Sequence, residues 1–308
     1  MSRTPSRLAG LLAGAASLGL LAGCGGSSDD AATGSTASAS KVTVVASTNV
    51  YGDIVERIGG DRVDVTSIIS DPAQDPHSYE AGTRNQLALS KAKVVVENGG
   101  GYDDFVDRML GSGNASAEVI NAVEVSGRTA PAGGELNEHV WYDFPSVSKV
   151  ADRVAGALGK ADPDNAGTFT KNAAAFKKSL SALEDKEASL KSAHAGDGVA
   201  ITEPVPLYLL EASGLANRTP EEFSEAVEEG DDVSAKVLQA TLDLFSGKKV
   251  KALVYNQQTS GAQTEKVKSA AEAAGVPVVP VTETLPDGKD YLTWMNDNVD
   301  ALADALNK

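Results

Sequence analysis

Three histidines occur in the 308 residues, so every histidine-based site can be enumerated. His77 sits in Asp75-Pro76-His77-Ser78-Tyr79-Glu80, after a β-rich run and a string of turn residues. His139 sits in Asn137-Glu138-His139-Val140-Trp141-Tyr142-Asp143. Both are loop contexts, where binding residues concentrate on α/β scaffolds. Each has carboxylates close by, Asp75 and Glu80 for the first, Glu138 and Asp143 for the second. A carboxylate that accepts one ring N–H fixes the tautomer and leaves the other nitrogen for a metal. A histidine alone is more often structural, and these acidic neighbours shift the balance towards a cation site. His194 falls where a long helical pattern ends, and there it reads as structural or exposed, meeting the helix's negative end.

Composition agrees with a cationic ligand. The 43 acidic and 27 basic side chains give a net charge of −16, which argues against nucleic acid. A single cysteine excludes a disulfide framework and any cysteine-based zinc finger. That cysteine, Cys24, closes Leu21-Ala22-Gly23-Cys24 behind the apolar run Leu8–Ala22 and the basic Arg3 and Arg7. Residues 1–23 therefore predict a secretory signal peptide whose end resembles a bacterial lipobox, with Cys24 as the lipidation site. Residues 24–40, small and polar without apolar periodicity, predict a lipid-anchored flexible tether.

From residue 42 onward, β-rich runs alternate with helical stretches. Val42–Ala46, Val63–Ile69, Lys93–Glu97 and Ala117–Asn121 predict strands, and so do Gly198–Thr202, Lys249–Tyr255 and Pro277–Val281. Such alternation indicates βαβ units around parallel sheets. Between the two groups, Phe169, Ala173, Phe176, Leu180, Leu183 and Leu190 form one apolar stripe over residues 163–193. At 1.5 Å per residue this helix spans about 45 Å. The expected fold is α/β, with two parallel-sheet lobes joined by one long rigid helix. The expected boundaries are 41–161 for the N-terminal lobe, 162–194 for the linking helix and 195–308 for the C-terminal lobe.

Four segments carry a family resemblance over roughly residues 42–308. Asp75–Glu80 matches the D-P-H-x-Y-E signature of the metal-binding lipoproteins that serve zinc and manganese ABC importers. Thr83–Gly99 is similar to that family's next conserved run. The segment around His139 resembles N-P-H-x-W-L-D-P, with Glu138 in place of the proline. Thr202–Leu215 resembles the block in which a His or Glu precedes Tyr and Gly-Leu, and here the ligand position is Glu203. Thr282-Glu283-Thr284 resembles the last block, ahead of Tyr291–Asn298.

The resemblance implies a metal set of His77, His139, Glu203 and Glu283 in the cleft between the lobes, two ligands from each. It implies one divalent transition metal, manganese or zinc, carried as the transported ligand. Zinc-selective members usually offer three histidines and a His-rich loop. Two histidines with two carboxylates resemble the manganese branch, because carboxylate oxygen suits the harder ion. The implied partner is an ABC permease. The implied location is the outer face of the cytoplasmic membrane, held through Cys24, as a monomer without enzymatic activity.

Two other functions compete with this reading. A metal-dependent hydrolase would show turnover on esters or peptides, although no H-E-x-x-H or G-x-S-x-G motif occurs. An adhesin on the same fold would keep its partner after loss of the metal ligands. Asn256-Gln257-Gln258 follow a strand and could approach the cleft, but read more simply as ordinary polar strand-end residues, Glu221–Asp232 reads as a solvated face, and Trp141 and Tyr79 as core or as walls of the site. Gly99-Gly100-Gly101 lacks the spacing of a phosphate loop.

Overall fold

Runs of valine and isoleucine bounded by turn residues become the interior strands of two small parallel sheets. The computed structural model describes residues 41–71, 74, 79, 80, 82–111, 113, 114 and 116–308. The expected signal peptide, the tether, Cys24, Asp75 and His77 lie outside the described residues.

The first lobe runs β1 (Val42–Thr48), α1 (Asn49–Gly59), β2 (Val63–Ile69), α2 (Thr83–Leu89), β3 (Val94–Glu97), α3 (Phe105–Leu110), β4 (Glu118–Asn121) and α4 (Ala122–Ser126). Its sheet has the order β2-β1-β3-β4 with parallel pairing throughout, Val44 opposite both Val65 and Val94. Two helices follow, α5 (Phe144–Ala161) and α6 (Ala166–His194). The second lobe runs β5 (Gly198–Ile201), α7 (Leu207–Ala212), β6 (Ala216–Asn217), α8 (Glu221–Glu228), α9 (Ala235–Ser246), β7 (Leu253–Asn256), α10 (Ala262–Ala273), β8 (Val278–Val281) and α11 (Tyr291–Leu306). Its sheet repeats the pattern as β6-β5-β7-β8, again all parallel.

The 29-residue helix α6 follows one turn of 3-10 helix at Pro163–Asn165 and runs unbroken past Glu184. Its buried face is the apolar stripe, with Glu187 filling the position between Leu183 and Leu190. Asn172 ties it to the end of α1 through the carbonyl of Ile58, and Lys186 ties it to Asn296 and Asp300 on α11. The largest core cluster draws on both sheets and on α5, α6 and α11, so the joining helices share one continuous apolar interior. α11 also reaches the first lobe. The N–H of Tyr291 donates to Asp53 at 2.9 Å, and Asp290 pairs with Arg57 at 2.6 Å.

Three elements differ from the sequence pattern. The strand expected over Lys249–Tyr255 starts only at Leu253, because a turn at Lys248, with φ of 51°, occupies the approach. α5 has no counterpart in the alternation described above, although Asp143 at its N-cap and Pro145 in its first turn are ordinary start signals. Glu221–Glu228 forms α8, whose Phe223 and Ser224 are buried, so the acidic run has an inner face.

Candidate metal site

The C-terminal ends of parallel strands lie on one edge of a sheet, where α/β folds bind ligands. In the second lobe that edge carries Glu203 two residues beyond β5, Asn256 at the end of β7 and Glu283 two residues beyond β8. Their exposures are 2%, 1% and 1%, so two carboxylates are held away from water. Two ionised groups in such a position repel and lose hydration unless donors or a cation face them. Asn256 supplies part of that need. Its Nδ2 donates to a carboxylate oxygen of Glu203 and, at 2.8 Å, to Glu283 Oε1. The amide is held in turn, since its backbone N–H donates to Thr202 Oγ1 at 2.9 Å.

Gln258 fixes the loop that carries Glu283. Its Oε1 accepts from the N–H groups of Glu283 and Thr284 at 2.5 and 3.1 Å, and its Nε2 donates to Thr284 Oγ1 at 2.9 Å. The polar run after β7 is therefore the scaffold of the acid pair, not a set of ordinary strand-end residues. Geometry alone reveals this, because amides at a strand end carry no sequence signal that separates them from solvent-facing ones.

The first lobe contributes from the same edge of its own sheet. After β3, Gly99, Gly100 and Gly101 all have positive φ, and a Cβ on Gly99 would come within 2.1 Å of the Asn121 side chain. That tight turn folds Asp103 back onto the N–H groups of Asn98 and Gly99 at 2.6 and 2.8 Å. The glycines thus seat a carboxylate of the chain itself. They also place Tyr102, whose hydroxyl donates to Glu283 Oε2 at 3.2 Å. Burial, with Glu283 beside it, pushes the phenol far above its ordinary value, so it stays a donor.

His139 is fully buried, between Trp141 at 5.0 Å and Tyr102 at 6.0 Å between ring centres. Its backbone N–H donates to Asn137 Oδ1 at 3.1 Å, and Nδ1 lies 2.7 Å from the same oxygen. Asn137 Nδ2 donates to the Pro204 carbonyl at 3.2 Å, which fixes the amide with its oxygen towards the ring. Nδ1 therefore carries the proton, and Nε2 presents its lone pair to the cleft.

This corrects the expectation for Asp143. That carboxylate forms a two-pronged pair with Arg128, at 2.9 Å on each oxygen, and also accepts from Ser146. The partner that orients His139 is the amide of Asn137, a residue type that offers the same acceptor without the charge.

Beyond His139 stands Glu228, the last residue of α8, with Oε1 3.4 Å from Nε2. The carboxylate of Glu138 joins them, giving ligand-type atoms within 4.8 Å of one another. Burial pushes both carboxyls well above the ordinary range, and the charge of Glu138 adds to the rise at Glu228. Glu228 is the functional candidate that the acidic run concealed. Its signal was present, since it lies four residues after the buried Ser224 and so on the same helical face.

The remaining candidates fall away from this centre. Glu80 is exposed. Tyr79 packs on Phe105 at 5.1 Å and accepts from Asn85 at 2.6 Å. His194 closes α6 with Nδ1 3.1 Å from Asp197 Oδ2, as befits a helix terminus. The strand ends bring the buried carboxylates of Glu203 and Glu283 together, His139 groups with Glu138 and Glu228, and Tyr102 packs on the imidazole while donating to Glu283. That donor set suits a divalent transition metal.

The chain matches, over residues 44–305, the family described as the periplasmic component A of the zinc-uptake complex. It belongs to that family. Among curated relatives, the manganese ABC transporter substrate-binding lipoprotein ScaA of Streptococcus gordonii is 26% identical over 292 residues, covering 88% of this chain and 91% of the relative. The manganese-binding lipoprotein MntA of Bacillus subtilis is 28% identical, covering 76% and 77%. Among solved structures, FpvC of Pseudomonas aeruginosa in complex with Mn2+ superposes with a TM-score of 0.73 at 25% identity, covering 87% of this chain and 99% of that one. The zinc-binding TroA of Treponema pallidum shares the fold at a TM-score of 0.74 and 21% identity, covering 86% and 99%. The two-lobed α/β architecture of this family is the one described above. Among the described residues no helix is long and apolar enough to cross a membrane.

Proposed function

We propose that this family member is the extracytoplasmic substrate-binding lipoprotein of an ABC importer for a divalent transition metal, manganese or zinc. The observation that carries the reading is the buried pair Glu203 and Glu283, bridged by Asn256 and linked through Tyr102 to the fully buried His139. Two carboxylates so placed gain most from an ion of charge two, and a neutral imidazole adds a donor without upsetting that balance.

The proposed ligands are His77, His139, Glu203 and Glu283, with His77 assigned from its motif. Oxygen donors outnumber what a zinc-dedicated site offers, which favours manganese by ligand type. Zinc, later in the Irving–Williams order, binds such a site tightly as well. The partner is a membrane permease that accepts the ion, and the role is capture and delivery rather than catalysis. Cys24 is the proposed anchor. Cys24→Ala is expected to release the protein from the membrane with metal binding intact.

A ligand that binds only the folded state raises stability by about 4 kcal/mol at a thousandfold excess over Kd. The test is therefore the melting temperature of chelator-stripped protein. Manganese and zinc are expected to raise it clearly, and magnesium much less. A melting temperature unmoved by any transition metal would overturn the reading.

A further inference from the structure

His139 follows the first sheet in the chain, yet the amide that orients its ring is held from the second lobe. Asn137 Oδ1 gives both lone pairs to His139, one to the backbone N–H at 3.1 Å and one to Nδ1 at 2.7 Å. The rest of Asn137 is tied to the other lobe. Its Nδ2 donates to the carbonyl of Pro204, the residue after Glu203, at 3.2 Å. Its own carbonyl accepts from the hydroxyl of Tyr208, on α7, at 2.7 Å.

Tyr208 is itself held in place. The guanidinium of Arg128 lies over its ring, 4.6 Å from the centre, and grips Asp143 with two bonds of 2.9 Å. Tyr208 and Arg128 thus clasp residues 137–143 at both ends. Between those ends the chain makes only one 3-10 turn, Val140–Tyr142, so little regular structure fixes the histidine. Asn98 Nδ2 donates to the Glu138 carbonyl at 3.0 Å, which steadies the backbone ahead of the ring without touching the ring itself. Burial pushes the phenol of Tyr208 above its ordinary value, against the pull of Arg128, so its hydroxyl stays a donor.

The hydrogen bond made by one imidazole nitrogen decides which neutral form of the ring is present. If the amide of Asn137 is free to turn, Nδ1 loses its acceptor in part of the population. Only the aligned fraction then binds an ion at full strength, and the apparent affinity falls in proportion.

We infer that Tyr208 is a positioning residue for the metal site, acting through Asn137 to hold the His139 imidazole with Nε2 towards the ion. The assignment rests on the reading of the cleft as a metal site. It makes the donor geometry of a first-lobe ligand depend on a contact with α7 of the second lobe, so parting that contact loosens the imidazole.

Two measurements on the full chain test this. Metal-free protein carrying the heavy isotope of nitrogen in histidine reports the ring nitrogens by magnetic resonance, and His139→Gln identifies the His139 signals among the three histidines. At neutral pH the parent is expected to show Nδ1 protonated and Nε2 unprotonated. Tyr208→Phe keeps the ring beneath Arg128 and deletes only the donor. It is expected to shift those signals towards a mixture of both tautomers. In calorimetric titration it is expected to weaken manganese and zinc binding about three- to tenfold, the scale of one hydrogen bond. Asn137→Ala removes the acceptor itself and is expected to cost more, about 10–100-fold. A parent with His139 protonated on Nε2, which needs no variant to observe, overturns the proposal. So does a Tyr208→Phe variant that binds both ions as tightly as the parent. Weaker binding with the His139 signals unchanged also overturns it, because a purely structural loss leaves the ring where it was. In each case the parent still binds metal, whereas a parent that binds neither ion overturns the metal-site reading itself.

Discussion

Tyr102, on the edge of the first sheet, donates its hydroxyl to Glu283 Oε2, on the edge of the second, at 3.2 Å. The bond crosses the cleft and makes the position of an acid in one lobe depend on a glycine turn in the other. It is accompanied by two more crossings near the same place. Tyr142 donates to the Thr282 carbonyl at 2.8 Å, and Tyr291 donates to the Trp141 carbonyl at 2.6 Å. The loops that carry the site are thus held by phenols, which bury large apolar rings and still present one polar atom.

Tyr102→Phe keeps the ring in place and deletes only that donor. Outer partners of metal ligands are worth about 10–100-fold in affinity, so a loss of about tenfold is expected for manganese and zinc. Calorimetric titration of parent and variant measures it. Equal affinities would show that the tyrosine merely packs.

Asn256 bears on stability as well as on binding. In the metal-free protein it gives Glu203 and Glu283 a shared donor, and Asn256→Ala leaves both buried acids without it. The expected cost is about 1–3 kcal/mol in the stripped protein. Urea denaturation of stripped parent and variant reads this directly, and an unchanged midpoint would contradict the bridging role.

How much of this was legible beforehand depends on the kind of signal. Valine-rich runs, the alternating grammar and the stripe on α6 reveal the two sheets and the long helix because burial imposes a period on the sequence. His139 draws notice through its loop and acidic neighbours, whereas Glu203 and Glu283 stand out only through motif resemblance, which the fold explains by placing both at strand ends. Asn256, Tyr102 and Asn137 were not legible. Their work depends on which atom they meet across the cleft, and no local pattern records a contact between residues 102 and 283. Glu228 was half-legible, since Phe223, Ser224, Val227 and Glu228 have the spacing of one helical face, yet the surrounding charge resembles solvent-exposed sequence.

Glu187 predicts a pH dependence. It occupies the buried stripe of α6, and burial, with Glu184 and then Asp143 adding repulsion, pushes its carboxyl up to about 8 from 4.5. Its Oε1 has no hydrogen-bond partner among the described residues. Because the folded value lies above the unfolded one, protonated Glu187 favours folding. That contribution is full below pH 4.5 and is lost progressively as the pH rises through about 8. The change amounts to roughly 3–5 kcal/mol between the limits. Glu187→Gln mimics the neutral acid, so the stability difference between pH 6 and pH 9 should shrink in the variant. Identical pH slopes in parent and variant would place the titration elsewhere.

If a transition metal binds in the cleft on Glu203, changing that side chain's donor atom must change which ion is preferred, and one titration series reads this. Chelator-stripped parent and Glu203→His are titrated with manganese and with zinc in a single buffer, and the ratio of the two affinities is compared. Replacing a hard oxygen by an imidazole nitrogen favours zinc over manganese whatever happens to the absolute values. One ion per chain in the parent, with the zinc-to-manganese ratio rising by about tenfold or more in the variant, is the expected result. A ratio that stays flat, with both affinities near parental, would show that Glu203 does not touch the metal.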